Sequence, residues 1–147
     1  MTGRIYDFNE RFSLYLRDES RHAGYFKTIV FPETMDELIE VIQGLYRKSE
    51  PFTVQGARTG ISGAAVPHGG HVISTEKLTG LSPVYGDPST GFCIEAECGA
   101  TLDSILAAAS AKNLVFRPNP TEKTATIGGL FATGSSGCNS YRWGKTA

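Results

Sequence analysis

Long apolar runs are absent from the sequence: no stretch approaches the roughly 20 residues that a membrane-spanning helix needs. The first residues, MTGRIYDFNERF, also lack the apolar segment of a signal peptide. We therefore expect a protein that is cytoplasmic, or soluble behind a membrane, and that has no membrane span.

Strong net charge and paired cysteines are missing too. The formal net charge is −1, so no polybasic surface indicates nucleic acid, and any anionic ligand must be bound by local groups. The three cysteines, Cys93, Cys98 and Cys138, contain no CxxC pair, and the three histidines are scattered. This pattern disfavours a zinc or iron–sulfur site, and it favours buried free thiols in a reducing compartment.

The familiar phosphate-binding motifs are also absent. The sequence contains no GxxxxGK[ST], which excludes a P-loop NTPase. It contains no GxGxxG fingerprint between a strand and a helix either. A nucleotide must therefore be bound in another way.

What is present is a mixed pattern of helices and strands. With 147 residues, the chain suits one domain or one large piece of a bigger protein. The clearest helix begins after Thr34, which forms a capping box with Glu37 and precedes a broad apolar face. Thr101 is suited to cap a second helix. The remaining pattern predicts a helix over residues 4–18, a turn over 83–91, and strands over 28–31, 51–55, 71–78, 91–98 and 114–116.

The segment from Val54 to Pro67, VQGARTGISGAAVP, is almost free of large side chains and carries one charged residue, Arg58. Glycine costs backbone entropy, so the cluster needs a reason. Consecutive N–H groups in a tight loop form an anion nest that suits a diphosphate, and Thr59 and Ser62 would add short hydroxyl donors. The alternative is a loop that is rich in glycine for its turns alone.

A second segment poor in large side chains runs from Thr124 to Gly137 and follows the stiff turn RPNPT. Glycines and hydroxyl-bearing residues recur along this segment, so its backbone is accessible to a ligand. The two segments could therefore clamp the two ends of one long ligand. The alternative is a small-residue helix that packs tightly on a sheet, and the two interpretations are compatible.

These segments resemble, in order, those of the FAD-linked oxidases of the vanillyl-alcohol oxidase/p-cresol methylhydroxylase superfamily. QGARTGISGAAVPHGGHVIS resembles the family's pyrophosphate loop, RGGGTGLSGGAVP. ECGATLDSILAAASAKNLVFRPNPT resembles its next stretch, a glycine after a strand, then a helix and a PPDP-like turn. ATIGGLFATGSSGCNSYRWGKT resembles TIGGNVATNAGG…YG. The resemblance covers nearly the whole chain and is strongest for the glycolate oxidase/D-lactate dehydrogenase branch.

The resemblance implies an α+β fold: an FAD-binding type 2 domain of the p-cresol methylhydroxylase type, with two small α/β subdomains and FAD between them. It implies that residues 1–147 form the N-terminal portion of that domain, which would be incomplete at its C-terminus. The implied residues of the pyrophosphate loop are Gly56, Ala57, Arg58, Thr59, Gly60, Ser62 and Gly63. The implied residues of the flavin-side turn and the second cofactor segment are Pro118, Asn119, Thr121, Thr126, Gly128, Gly129, Thr133, Ser136 and Gly137.

The sequence departs from the family pattern at several positions. Gln55 stands where the family often has arginine, and Ala57 and Arg58 stand for two glycines. Backbone donors survive such changes where φ and ψ permit, and we expect the Arg58 side chain to point to solvent. Thr133 stands where asparagine is common. The first loop lacks the histidine that tethers FAD in some relatives, which predicts non-covalent FAD.

The implied function is the FAD-binding portion of a flavin-dependent oxidoreductase, in which a small 2-hydroxy acid of the glycolate or D-lactate type gives a hydride to FAD. Family members have a separate substrate domain, so no catalytic residue is assigned here, and His22 and His71 are interpreted as surface or strand residues. A downstream domain or a partner chain would complete the protein, and the isolated chain would be inactive. Two alternatives stay open: a non-catalytic folded module that does not retain FAD, and an FAD reductase of the same fold.

Overall fold

The computed structural model describes residues 4–146, which divide into two compact units. The first unit ends at Leu78 and the second begins at Thr79. Each unit combines helices with strands, which confirms the predicted α+β class.

The first unit is built on a four-stranded sheet. Its strands are β1 (Ile5–Asp7), β2 (Thr28–Val30), β3 (Phe52–Gln55) and β4 (His71–Ser74), in the spatial order β1-β2-β4-β3. Strands β2, β4 and β3 are parallel, whereas β1 is antiparallel to β2. These strands confirm the predictions over 28–31, 51–55 and 71–78, the last in shortened form. Because β3 and β4 are parallel neighbours, residues 56–70 must return across the sheet, and they do so as a loop.

Helix α1 (Met35–Arg47) connects β2 to β3, as predicted. The Thr34 hydroxyl accepts a hydrogen bond from the N–H of Glu37 at 3.2 Å, which satisfies one of the unpaired donors at the start of the helix. The predicted apolar face is only partly buried, since Ile39 remains 45% exposed. The buried residues of the helix are Leu38, Val41 and Leu45.

Aromatic side chains fill the core on one side of this sheet. Phe12 and Phe26 pack with Ile29 and Val72, which are direct partners on β2 and β4. Removing each such side chain from water contributes about 1.5–3 kcal/mol. The cluster therefore anchors the chain before β2 firmly to the sheet. The partly buried residues packed around it are Tyr6, Tyr15, Leu16 and Phe31.

The predicted helix over residues 4–18 is wrong. Ile5–Asp7 form β1, and Glu10–Leu16 form a 3-10 helix that Asn9 caps. The apolar spacing is nearly helical, but strand β1 instead pairs with the edge of β2. This pairing provides hydrogen-bond partners for backbone N–H and C=O groups that would otherwise be unpaired. Tertiary pairing therefore overrides the local pattern.

The second unit has a hairpin and short helices. Strands β5 (Tyr85–Asp87) and β6 (Gly91–Cys93) are antiparallel, and they are followed by α2 (Leu102–Ser110), α3 (Ile127–Ala132) and α4 (Ser140–Trp143). The Thr101 hydroxyl caps α2 by accepting from the N–H of Ser104 at 3.3 Å, which confirms that prediction. The core of the unit consists of Leu102, Ala125 and Leu130.

Other predictions in the second unit need correction. Residues 83–91, predicted as a turn, include strand β5, and the turn itself is residues 88–90. The half-buried strand predicted over 91–98 is only Gly91–Cys93, and it is exposed. Residues 114–116 form no strand. Short exposed strands bury little apolar surface, so alternation alone locates them poorly.

The helices of residues 4–146 include none that is both long enough and apolar enough to cross a bilayer. Cys93 and Cys138 are free thiols on the surface, so the expectation of buried thiols is wrong for both. Cys98 is half-buried.

Candidate cofactor site

The first small-residue segment begins where β3 ends. Gln55 is the last residue of that strand, and Gly56 opens the loop. The loop follows β3 and therefore lies at the carboxyl end of that strand. Since β3 and β4 are parallel, this is also the carboxyl edge of β4, the edge at which open α/β sheets bind their ligands. The position therefore agrees with the ligand-binding role predicted from the sequence.

The backbone amides of this loop are the distinctive feature of the site. Within the described range 4–146, no carbonyl or side chain accepts a hydrogen bond from the N–H groups of residues 56–62. Residues 56–59 are nevertheless half-buried. Unpaired amides that are partly withdrawn from water are costly, and a run of them is the donor set of an anion nest.

Arg58 adopts an unusual conformation in this loop. Its φ is +60°, in the left-handed region that favours glycine. Its guanidinium lies over the ring of Tyr15, 4.3 Å from the centroid, and Nη1 donates to the carbonyl of Gly56 at 3.3 Å. The expectation that Arg58 points to solvent is therefore wrong. Its backbone takes the conformation for which the family pattern provides glycine, and its charge stays within the loop.

The far side of the loop is held by Asp18, a residue that the sequence pattern did not single out. Its carboxylate is 6% exposed and accepts from the N–H of Ala65 at 3.4 Å. Burial alone raises the pKa of Asp18, but the hydrogen bonds that its carboxylate accepts from Ser20 and Ala65 outweigh burial and lower the pKa below its usual 3.8. The carboxylate is therefore ionised at neutral pH.

Tyr15 connects the loop to the end of β4. Its hydroxyl donates to a carboxylate oxygen of Glu76 at 2.6 Å, and its ring supports the Arg58 guanidinium. Burial, followed by the hydrogen bond and the charge of Glu76, raises the pKa of Tyr15 from 10.0 to about 12, although the Arg58 charge lowers it in part. The folded protein thus stabilises the neutral form of the Tyr15 side chain.

This shift predicts a loss of folding stability in alkali. Between pH 10.0 and about 12, Tyr15 ionises in the unfolded chain while the folded chain keeps its proton, so the free energy of unfolding falls as pH rises. Urea unfolding across that pH range measures the slope. Tyr15→Phe should flatten it, whereas Tyr46→Phe, at a side chain that is 79% exposed, should not. If the free energy of unfolding falls equally steeply with pH in the wild type and in Tyr15→Phe, the raised pKa of Tyr15 is not the cause.

The amides of the second segment are used differently, because the unit itself engages most of them. The N–H groups of Ile127 and Gly128 donate to the carbonyls of Ala100 and Cys98 at 2.7 and 3.0 Å. The N–H of Gly129 donates to the Thr126 hydroxyl at 3.3 Å, where Thr126 caps α3. These groups hold α3 in place, so the segment is not a second nest of the same kind.

Two glycines of this segment are required by packing. A Cβ at Gly128 would lie 2.8 Å from the backbone oxygen of Cys98. A Cβ at Gly137 would lie 2.2 Å from the carbonyl oxygen of Asn119, because Pro120 and Gly137 form a β-bridge. Tight packing therefore accounts for both glycines within the unit, for Gly128 inside helix α3 and for Gly137 in a β-bridge outside any helix. A cofactor role for them stays a prediction.

The remaining predicted residues of the second unit lie on two stretches. Asn119 has φ +38° and accepts from Lys123 Nζ at 2.6 Å, next to the half-buried Pro118 and the exposed Thr121. The Thr133 hydroxyl donates to the carbonyl of Gly129 at 2.8 Å, and Ser136 is exposed. The bridge between Pro120 and Gly137 brings the two stretches together. A cofactor role for these residues also stays a prediction.

The histidines and acidic residues among residues 4–146 form no metal site. No group of three or more metal-binding side chains there is arranged to hold a metal ion. His22 is exposed, and His71 lies in β4 with its Nδ1 2.7 Å from the Thr28 hydroxyl, which agrees with their interpretation as surface and strand residues.

The comparison with known proteins identifies the family. Residues 26–147 match the FAD binding domain family. D-lactate dehydrogenase from Archaeoglobus fulgidus is 37% identical over 117 residues, covering 79% of this chain and 26% of that protein. D-lactate dehydrogenase from Anaerostipes hadrus is 31% identical over 142 residues, covering 95% of this chain and 29% of that protein. The chain thus spans between a quarter and a third of the length of these relatives.

The solved structures show the same fold. 6-Hydroxy-D-nicotine oxidase from Arthrobacter nicotinovorans superimposes with a TM-score of 0.80 at 14% identity, over 99% of this chain and 32% of that one. The chain belongs to the FAD binding domain family, which confirms the predicted family and the predicted cofactor, FAD.

Proposed function

We propose that residues 1–147 are the N-terminal portion of the FAD-binding domain of a flavin-dependent oxidoreductase, and that the loop after β3 binds the FAD diphosphate. The observation that supports this most strongly is the run of amides over residues 56–62 that find no acceptor within the described part of the chain, residues 4–146. A diphosphate presents several anionic oxygens, and it suits a row of convergent N–H donors. No other set of donors in the loop matches a long anion as well as these backbone amides.

The proposed donors are the backbone amides of Gly56 to Ser62, with the Thr59 and Ser62 hydroxyls beside them. Gly63 contributes by its turn, at φ +78°. In the second unit, the flavin-side turn and the residues around α3 are proposed to contact the rest of the cofactor. Those residues are Pro118, Asn119, Thr121, Thr126, Gly128, Gly129, Thr133, Ser136 and Gly137.

The proposed substrate of the complete enzyme is a small 2-hydroxy acid. Support comes from the names of the two relatives, both D-lactate dehydrogenases. Bound FAD would supply the acceptor for the hydride that leaves the hydroxyl-bearing carbon. The loop's own task is to bind and orient the diphosphate, and we assign no catalytic base to this chain. The absence of a histidine from residues 54–67 supports FAD that is bound without a covalent link.

Flavin binding and turnover are tested in that order. The chain is incubated with FAD and desalted, and we expect flavin absorption to remain with the protein and to be released on acid precipitation. The polypeptide that carries this chain is then mixed with D-lactate without oxygen, and we expect the oxidised-flavin absorption to disappear. L-lactate is the matched control, and glycolate tests the shorter substrate.

Each alternative has its own outcome in this test. A folded chain that never retains FAD would contradict the cofactor loop and favour the non-catalytic module. Retained flavin that D-lactate and glycolate leave oxidised, but that a nicotinamide cofactor reduces, would contradict the 2-hydroxy acid and favour a reductase of the same fold.

A further inference from the structure

The cofactor loop is braced by a segment that precedes the matched family residues. This brace is residues 15–20, whereas the family match begins at residue 26. The N–H of Glu19 donates to the carbonyl of Arg58 at 3.3 Å, and the ring of Tyr15 supports the Arg58 guanidinium. The brace therefore contacts the loop through both its backbone and its side chains.

Two buried side chains hold the peptide groups of Ala65. Asp18 Oδ2 accepts from the Ala65 N–H at 3.4 Å, and Gln55 Nε2 donates to the Ala65 carbonyl at 2.6 Å. Gln55 is completely buried, and its Nε2 also donates to the carbonyl of Tyr15 at 2.8 Å. Because both neighbours are carbonyls, the amide nitrogen must face them. Ala65 is thus fixed on both sides, and it is tied through Gln55 to the brace.

The carboxylate of Asp18 divides the loop amides into two sets. It accepts from the amide of Ala65, whereas the amides of residues 56–62 have no acceptor among residues 4–146. An anionic side chain next to an anion-binding loop is unexpected, because its charge repels the ligand. A buried carboxylate at this position needs a compensating contribution to ligand binding, and the order that it imposes on the loop is such a contribution.

We infer that Asp18, acting with Gln55, is a positioning residue: it binds the amide of Ala65, and thereby preorganises the amides of residues 56–62 for a diphosphate. The ligand part of this inference rests on the proposed function, whereas the ordering of the loop does not. Preorganised donors bind more tightly because less conformational entropy is lost on binding.

The sign of the effect of Asp18→Ala distinguishes positioning from charge. Removing a negative charge near an anionic ligand would by itself strengthen binding. Removing the acceptor of the Ala65 amide would instead loosen the loop and weaken binding. We expect the second effect to be larger, so that FAD affinity falls about tenfold in Asp18→Ala. This loss corresponds to roughly one charge-assisted hydrogen bond.

The experiment compares full-length wild type, Asp18→Asn, Asp18→Ala and the control Asp87→Ala. Asp87 also caps a turn, accepting from the N–H groups of Ser89 and Thr90 at 2.7 and 3.0 Å, but it lies in the β5–β6 hairpin. Amide hydrogen exchange is measured without flavin at Ala65 and Val66, whose N–H groups donate to Asp18 and to the carbonyl of Gly63. The FAD dissociation constant is measured by fluorescence quenching. Circular dichroism at the working temperature verifies that each variant is folded.

We expect faster exchange at Ala65 and Val66 and weaker FAD binding in Asp18→Ala, a smaller change in Asp18→Asn, and neither change in Asp87→Ala. Unchanged exchange in a folded Asp18→Ala would overturn the inference, as would FAD affinity that stays equal or rises. If the wild type itself binds no FAD, the proposed function fails, and the exchange data still decide whether Asp18 orders the loop. If Asp18→Ala does not fold, the same two measurements on Asp18→Asn decide.

Discussion

Replacing Gly60 by leucine should lower FAD affinity by about 100-fold or more and leave the unfolding temperature unchanged. The fold itself does not require glycine at this position. Its φ lies outside the left-handed region, and an added Cβ would meet its nearest neighbour, Asp18 Oδ2, only at 4.0 Å. The space over Gly60 is therefore open to a ligand, and a leucine side chain would fill it.

The size of the effect follows from the donors that would be lost. A hydrogen bond to a charged group contributes about 1.5–3 kcal/mol, and blocking two of them corresponds to roughly 100-fold in affinity. Equilibrium dialysis with FAD measures the affinity, and differential scanning calorimetry measures the stability. Gly60→Ala is the matched control, with a smaller expected loss. Unchanged flavin binding in Gly60→Leu would show that the diphosphate does not approach this loop.

Replacing Gly137 by alanine should have the opposite signature: a large loss of stability in the second unit. The new Cβ would lie 2.2 Å from the carbonyl oxygen of Asn119 and 2.8 Å from Pro120 Cα, and both are backbone atoms that cannot rotate away. Overpacking against side chains costs about 1–3 kcal/mol, and we expect about 3 kcal/mol or more against backbone.

The single tryptophan, Trp143, lies in the second unit and reports its unfolding. Urea denaturation followed by tryptophan fluorescence gives the free energy of unfolding of Gly137→Ala. The nearby exposed residue provides the control Ser136→Ala, which should change stability by less than about 0.5 kcal/mol. Equal midpoints for Gly137→Ala and the wild type would mean that the β-bridge between Pro120 and Gly137 is absent or adaptable.

The sequence was sufficient to single out the proposed cofactor loop because its signal is local. Glycine, alanine and short hydroxyl residues in one run after a strand predict exposed amides, and the amides of residues 56–62 are indeed unpaired within the described residues 4–146. Helices α1 and α2 were predictable for the same reason, since Thr34 and Thr101 cap them from adjacent positions.

The supporting contacts could not be predicted, since they join distant parts of the chain. Asp18 contacts Ala65 across 47 positions, and Gln55 reaches Tyr15 across 40. Before folding, Asp18 is one of several acidic residues in a polar stretch, and nothing local distinguishes it. The helix wrongly predicted over residues 4–18 fails for the same physical reason, because the partner of strand β1 is β2, more than 20 residues further on.

The second segment shows why one composition admits two explanations. Glycine serves both close ligand approach and close packing, and composition does not distinguish them. In the structure, added Cβ atoms at Gly128 and Gly137 would meet backbone of the same unit, whereas one at Gly60 would meet open space. Such distances, rather than the number of glycines, separate a packing role from a binding role.

The most direct measurement of diphosphate binding is an NMR titration of the 15N-labelled chain with FAD, following each backbone amide. We predict the largest shifts at residues 56–62, with a smaller shift at Ala65, whose amide donates to Asp18. FAD that binds while the amides of residues 56–62 remain unperturbed would contradict the assignment of this loop to the cofactor diphosphate.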